Sequence, residues 1–456
     1  MDFDVVENKI KASEITLNGT VNIKNIQSGQ INNVIVSTNT PLDQNRLNGI
    51  FIFTKLLATI TPEFTNNNKT MNLTTISQTA EQFTLQNNFR NNQTQLAALF
   101  DSYAPVQQLL LSLDTREQLE EIIKPLLVAE IAVETQNLPL NHPYLRVFNH
   151  LSNLPFGNIN KNKNKNNFHN VNSGTLFRCQ SACSPAACNL TNSQYEFWFE
   201  GYYRAENISG DSNALGYKTS RSGMMVGVDR RIGNNLTTCL VFCYGNPYAY
   251  NSIAKIEADD YMFGTYARLK ISEIYANAFW GYGYQNYELR RNLANNMNNN
   301  TKYNGDSMYA SLEVFKPIRL QNNFTVSPLA AIDFQKSWAD GFNVNVAGLP
   351  LSIVKSDLEQ TVLRIGVNSC YKNLRTRLQY GYQVAGDLYG ISRTSITGGN
   401  NSRILTGTNL GRNTLNVGFG GNFKIGKRTK LFADYDFDLG EHSTSHTGQF
   451  GIVTNF

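Results

Sequence analysis

From residue 195 to residue 456 the sequence breaks into about twelve runs of strand length, in which apolar side chains alternate with polar or small ones. In the last run Phe450, Ile452, Thr454 and Phe456 share one row, and Gln449, Gly451 and Asn455 the other, which only Val453 interrupts. The same period of two sets Leu378, Tyr380, Tyr382 and Val384 against Arg377, Gln379, Gly381 and Gln383. It also sets Leu431, Ala433, Tyr435 and Phe437 against Asp434, Asp436 and Asp438. Successive side chains of a strand point to opposite faces, so each run predicts a strand with one apolar face. A final strand that stops on Phe456 in mid-alternation has an apolar edge that must be paired, and closing the sheet into a barrel pairs it with the first strand.

In a soluble barrel the apolar row faces inward; in an outer-membrane barrel it faces lipid and the lumen is wet. Alternation alone does not choose between them, but two other features do. Tyr202, Tyr203, Tyr244, Tyr248, Tyr250, Tyr261, Trp280, Tyr282, Tyr284 and Tyr287 fall towards strand ends, where aromatic residues with a polar tip favour a membrane interface. The connections also alternate in length. Residues 206–221, 247–257, 288–304, 340–357 and 387–411 read as long, and 233–235, 271–272, 317–322, 372–373 and 426–428 as short, with 440–446 moderate. Short periplasmic turns and long surface loops produce that pattern, whereas Greek-key connections give no reason for it. Both barrel termini then lie on the short-turn, periplasmic side.

No stretch reaches the roughly 18 to 20 apolar residues of a membrane-spanning helix; residues 122–133 come nearest and are broken by Lys124, Pro125 and Glu130. A membrane location is therefore expected to be reached by strands. Charged residues are 16% of the chain and the net charge is +5, with no concentrated Lys/Arg stripe, so a nucleic-acid partner is not expected. No signal peptide is visible after Met1, which suggests a fragment or a processed form with an added Met. His442 and His446 do not sit at a zinc-ligand spacing on a helix, and no G-x-S-x-G or ordered Ser/His/Asp set occurs. No metal site, cofactor or enzymatic activity is expected. The six cysteines, Cys179, Cys183, Cys188, Cys239, Cys243 and Cys370, suit disulfides in an oxidising envelope, with the pairing open.

Upstream, residues 1–90 read as short strands punctuated by Gly19, Gly29 and Gly49, which suit the last coils of a β-solenoid or a small β-sandwich. Residues 91–155 switch to helical spacing: Leu96, Leu99 and Phe100 share a face, as do Leu109, Leu110 and Leu113. Asp114 or Thr115 caps a further helix that Pro125 is expected to kink. Leu145, Phe148 and Leu151 continue the pattern. Residues 156–193 form a linker whose Asn/Lys tract cannot build a core.

Several segments resemble a known family. The run from Tyr195 to Gly201 (YEFWFEG) looks like an opening barrel strand. Gly216 and Tyr217, followed by Ser222 to Asp229 (SGMMVGVD), resemble a second strand. The run from Gly411 to Gly420 (GRNTLNVGFG) is similar to a late strand, and Asp434-Tyr435-Asp436 with Phe456 to the last two. Residues 49–53, 71–74 and 91–99 resemble the end of a passenger and the helical segment before the barrel. In this order the motifs resemble autotransporters of the type V secretion pathway. The resemblance implies an all-β transmembrane antiparallel barrel of about 12 strands over residues 194–456, preceded by a short helical segment and a β-solenoid-like passenger remnant, with the linker through the pore. It implies a bacterial outer-membrane translocator, monomeric, that exports its own N-terminal region to the cell surface. Its partners would be outer-membrane lipids, the barrel assembly machinery and periplasmic chaperones. Gln449, Gly451 and Phe456 match the terminal assembly signal, although Thr454 stands where that signal has a hydrophobic residue. A porin-like or adhesin barrel, or more remotely a soluble glycan-binding β-protein, is the alternative. Linker cysteines are expected to bond to lumenal ones, with free buried thiols as the alternative.

Overall fold

The computed structural model describes residues 2–4, 10–12, 21–24, 29–37, 41–43, 51–52, 55–127, 129–130, 195–233, 235–291, 300–320, 324–346, 349–399, 401–426 and 428–455. Contacts divide the chain into two units. The first comprises Met1–Ala129, Asn343–Ile353 and Arg393–Leu405; the second comprises Glu130–Phe342, Val354–Ser392 and Thr406–Phe456.

In the first unit, short runs form β1 (Asp2–Asp4), β2 (Ile10–Ala12), β3 (Val21–Lys24), β4 (Gly29–Ser37) and β5 (Phe51–Ile52). β3 pairs in parallel with both β1 and β5, and β2 pairs in parallel with β4. β6 (Ala58–Thr65) and β7 (Thr70–Ser77) form a hairpin, and β7 runs antiparallel to β4. The hairpin turn holds Asn66, Asn67 and Asn68 at φ of 53°, 52° and 63°, the left-handed region that Asn tolerates best among residues with a side chain.

Four helices follow: α1 (Ala80–Gln86), α2 (Asn91–Asp101), α3 (Ala104–Leu111) and α4 (Arg116–Ile123). Thr79 and Thr115 cap α1 and α4, each in a reciprocal capping box with a Gln three residues on. Lys124–Leu127 continues α4 as a 3-10 turn, so Pro125 ends the α-helix rather than kinking it. Leu96, Leu99 and Phe100 are fully buried, whereas Leu109 is 49% exposed and does not share the buried face of Leu110 and Leu113. The Asp101 carboxylate accepts from the N–H groups of Ala80 and Glu81, both at 2.9 Å, tying the end of α2 to the start of α1. Burial raises its pKa above the ordinary carboxylate value, against the pull of those two N–H groups. Residues 131–194, including Leu145, Phe148 and Leu151, lie outside the described residues.

The period-two runs of the second unit become strands of 12 to 18 residues. In chain order these are β8 (Tyr195–Ile208), β9 (Tyr217–Ile232), β10 (Leu236–Tyr250), β11 (Ala254–Ile271), β12 (Ile274–Arg291) and β13 (Thr301–Phe315). After the two-residue β14 (Ile318–Arg319) comes β15 (Phe324–Ala339). Beyond β16 (Phe342–Val346) and β17 (Leu349–Ile353) lie β18 (Ser356–Tyr371) and β19 (Leu374–Gly386). Beyond β20 (Ile391–Ile396) and β21 (Ser402–Thr406) lie β22 (Asn413–Lys424), β23 (Thr429–Gly440) and β24 (Ser443–Asn455). Twelve of these pair antiparallel in a ring: β13 bonds to β15, and β24 bonds to β8. The sheet is a closed 12-strand antiparallel barrel.

Its apolar row faces outward. Phe263 is 56% exposed, Leu240 60%, Phe419 54% and Phe450 58%, while Asp229, Asp260, Gln285 and Ser307 are buried on the other face. On β11 the outward row is Tyr261, Phe263, Thr265, Ala267, Leu269 and Ile271, and it turns to Lys255, Glu257 and Asp259 beyond Tyr261. About ten steps of ~3.3 Å, tilted by roughly 45°, give an apolar band about 23 Å high, close to the height of an outer-membrane hydrocarbon layer. Tyr244, Tyr261 and Tyr284 lie opposite one another across β10, β11 and β12, and the first two rings are 5.3 Å apart, forming one stretch of the interfacial girdle. Tyr202 and Tyr287 depart from the interfacial expectation: alternation turns them inward, where they are 6% and 3% exposed.

The connection lengths also depart from strict alternation. Residues 251–253 and 441–442 are tight, because pairing runs up to the turn at Tyr250↔Lys255 and Leu439↔Thr444. The long connections, 209–216, 292–300, 340–355 and 387–412, nonetheless all lie at one end. The turns 233–235, 272–273, 372–373 and 425–428, the connection 316–323 and both barrel termini lie at the other.

Candidate functional site: the barrel wall and its closing seam

The barrel closes where β24 lies against β8, in a register that runs from Ser443↔Ile208 to Asn455↔Glu196. Gln449 points into the lumen and is 4% exposed. Gly451 lies against the Phe432 ring, and a Cβ there would stand 2.6 Å from the Phe199 carbonyl oxygen and 2.5 Å from the Phe432 Cε1. Phe432 therefore packs flat on the seam because position 451 has no side chain. Val453, the residue that interrupts the polar row, is buried in an apolar cluster on the inner wall with Trp198, Met225, Tyr266 and Phe432. One sector of the lumen is thus apolar rather than wet. Phe456 lies outside the described residues.

Elsewhere the inner wall is lined with charges that satisfy one another. Arg375 on β19 reaches Asp434 on β23 at 2.5 and 2.6 Å, and Arg377 reaches Asp436 at 2.9 Å. These residues are two strands apart, with β22 between them. The register sets Arg375 against Gly420 and Gly420 against Asp434; it sets Arg377 against Gly418 and Gly418 against Asp436. A Cβ at Gly420 would stand 2.7 Å from the Asp434 Cγ, and one at Gly418 2.8 Å from the Arg377 Nε. The two glycines leave the gap through which the ion pairs form. Asp438 pairs instead with Arg204, at 2.9 Å, and Arg364 with Asp333. Across the lumen Arg221 pairs with Asp260 at 3.0 Å, and the Trp198 indole and Tyr266 hydroxyl donate to Asp229. Buried charges need such partners, and these acids are held as parts of a wall. Among the described residues no group of three His, Cys, Asp or Glu is arranged to hold a metal ion.

The sequence alone suggests that lumenal Arg364, Arg375 and Arg377 balance Asp434, Asp436 and Asp438, but alternation does not show the glycines as part of the ladder. Arg375/Arg377, Gly418/Gly420 and Asp434/Asp436 are three i, i+2 pairs on three strands that prove to be neighbours.

The cysteines divide. Cys239 and Cys243 are buried free thiols, so for these two lumenal positions the free-thiol alternative holds and the expected bond to a linker cysteine does not. Their register neighbours are Asp229 and Tyr266, and Met225 and Met262, so among the described residues no cysteine stands opposite either of them in the sheet. Cys370 is disulfide-bonded. Its neighbours across the wall are Thr325 and Arg375. Cys179, Cys183 and Cys188 lie outside the described residues.

Comparison with known proteins follows the same lines. No curated protein matches the chain. Among solved structures, the translocator domain of autotransporter NalP from Neisseria meningitidis is 14% identical, covering 59% of this chain and 90% of that one with a TM-score of 0.48. The transport unit of autotransporter AIDA-I from Escherichia coli is 14% identical over 59% and 92%, with a TM-score of 0.43. The β-domain of the Bordetella autotransporter BrkA is 17% identical over 58% and 100%, at 0.40. The family model described as the autotransporter β-domain matches residues 197–436, more than half of the chain. On that match this chain belongs to the autotransporter family, and its barrel is an outer-membrane β-domain.

Proposed function

We propose that the barrel exports its own N-terminal region to the cell surface and anchors it there. The observation that carries this reading is the make-up of the first unit. It joins residues 1–129 with 343–353 and 393–405, pieces of the two longest connections of the barrel. Within it Arg403, from one of these connections, pairs with Glu81 of α1 at 3.7 Å. Long connections are surface loops in outer-membrane barrels, so an N-terminal region that packs with them belongs outside. In this reading residues 1–90 are a passenger remnant, 91–155 a helical segment and 156–193 the stretch through the pore. The disulfide of lumenal Cys370 supports a covalent tie to that stretch, because Cys239 and Cys243 are free.

Protease added to intact cells tests the reading. Cleavage within residues 1–150 is expected, with the barrel retained in the membrane; full protection would leave a porin-like barrel with a periplasmic N terminus. A non-reducing gel that shows no shift on reduction would remove the tie at Cys370. We further propose that Gln449, Gly451 and Phe456 serve the barrel assembly machinery, with periplasmic chaperones delivering the unfolded chain. Phe456→Glu is expected to lower outer-membrane insertion, and unchanged insertion would make Phe456 an ordinary lipid-facing aromatic.

A further inference from the structure

We propose that the short-turn end of the barrel is a docking ring for anionic phospholipid headgroups. Each of the five connections at that end brings a cation. Arg230 precedes 233–235, Lys270 precedes 272–273, Arg319 lies in 316–323, Lys372 in 372–373 and Arg428 in 425–428. Arg230, Arg319, Lys372 and Arg428 are exposed. The sole carboxylate carried by these connections is Glu273, and Lys316 meets it at 2.9 Å. Among the described residues no carboxylate lies within ion-pair distance of Arg230, Lys270, Arg319 or Arg428.

The opposite end is built differently. There Lys255, Arg290, Lys336 and Lys355 each meet a carboxylate, at 3.4, 2.8, 3.1 and 3.8 Å. Among the described residues the side chains of Lys218, Lys302 and Arg412 at that end meet no carboxylate, so the contrast is one of acid content: Glu257, Glu288, Asp340, Asp357 and Glu359 lie at the long-loop end, and the short-turn connections carry Glu273 alone.

The depth of the cations identifies that partner. The Arg230 guanidinium lies 5.8 Å from the centre of the Tyr195 ring, and the Lys372 ammonium 5.0 Å from that of Tyr371. Both rings lie on the outward face, 46% and 44% exposed. Outward tyrosines at the edge of an apolar band sit at headgroup level, and a cation held over such a ring is at the depth of the lipid phosphates. Phosphodiesters with a net negative headgroup complement the ring; zwitterionic lipids present the same phosphate with its charge cancelled. The bound leaflet is the one that borders the short turns.

The inference rests on the outer-membrane barrel, but not on which region is exported. Its test uses the purified full-length chain in detergent, titrated with phosphatidylglycerol or phosphatidylethanolamine and read by native mass spectrometry. Wild type is expected to retain phosphatidylglycerol in preference. Each cation near a membrane surface is worth about fivefold in partition, so R230Q/R319Q/R428Q should lower that preference on the order of a hundredfold. The control K255Q/R290Q/K355Q should keep it. R319Q alone, at an exposed position in a connection, should lower it about fivefold, and heat-modifiable mobility shows whether each variant is folded. Equal retention of both lipids by wild type, or of phosphatidylglycerol by wild type and the short-turn variants, overturns the proposal. So does impaired assembly of the triple variant in cells with lipid retention unchanged, which assigns the ring to an acidic protein. Protection of residues 1–150 from external protease sinks the export reading alone, because lipid retention does not depend on it.

Discussion

The ladder across β19, β22 and β23 makes a quantitative prediction. The side chains of Arg375 and Asp434 are 9% and 1% exposed, so removing one partner leaves the other buried and uncompensated. Arg375→Ala is expected to destabilise the barrel by about 3–5 kcal/mol. Arg375→Leu with Asp434→Leu should recover most of that loss, because a well-packed apolar pair can replace a buried ion pair at little cost. Gly420→Ala is the sharper probe, since it removes no charge. Its Cβ would stand 2.7 Å from the Asp434 Cγ and 3.2 Å from the Ala433 carbonyl oxygen, and overpacking of this kind costs about 1–3 kcal/mol. In an Arg375→Ala/Asp434→Ala background the side chain that Gly420→Ala displaces is gone, so the glycine substitution should be nearly neutral. The assay is equilibrium urea unfolding in lipid vesicles, followed by tryptophan fluorescence and by heat-modifiable mobility. Additivity of the glycine and ion-pair effects within about 0.5 kcal/mol would refute the claim that Gly420 exists to let the pair form.

Further outcomes follow from other parts of the structure. Gly451→Ala should slow closure of the seam, measured as the rate at which the compact, heat-modifiable form appears, and adding Phe432→Ala should restore that rate in part; an unaltered rate for the single variant would detach Gly451 from the Phe432 contact. Phe263→Arg, on the outward face of β11, should cost about 2–4 kcal/mol in vesicle unfolding experiments, and a neutral result would place that face away from lipid. Asp101 has a raised pKa in the folded helical segment, so the folded state holds its proton more tightly than the unfolded one. Its contribution to stability is therefore fully present below the ordinary carboxylate value and is lost as pH rises through the raised one. Helix content followed against denaturant at a series of pH values should show this slope, and Asp101→Asn should flatten it.

Much of the barrel is legible in the sequence because a strand encodes its two faces in alternate residues. Leu378, Tyr380 and Tyr382 against Arg377, Gln379 and Gln383 name both rows before any coordinate is known. What alternation leaves open is which row faces in; the length pattern of the connections and the interfacial tyrosines decide that. Those same cues err where local pairing overrides them. The β10–β11 and β23–β24 hairpins zip up to their turns, so two connections that look long are tight. Tyr202 and Tyr287 look interfacial by position, but their parity sends them into the lumen. The helical segment shows the same limit: a 3.6-residue period cannot tell that Leu109 is exposed while Leu110 is buried, because what covers a helix is set by its neighbours.

By itself, then, the sequence determined the strand periodicity and the twelve segments, which follow from side-chain parity along one strand, and its connection lengths turned the apolar row outward. The tertiary structure decided everything that depends on which strand lies beside which. Register brings Arg375 to Asp434 across Gly420, seats Phe432 on Gly451 at the seam, and leaves Cys239 and Cys243 without a cysteine opposite. It also gathers cations from five separate turns at one end of the barrel. These are contacts between residues far apart in the chain, and no periodicity within a single strand carries the hydrogen-bond register that creates them.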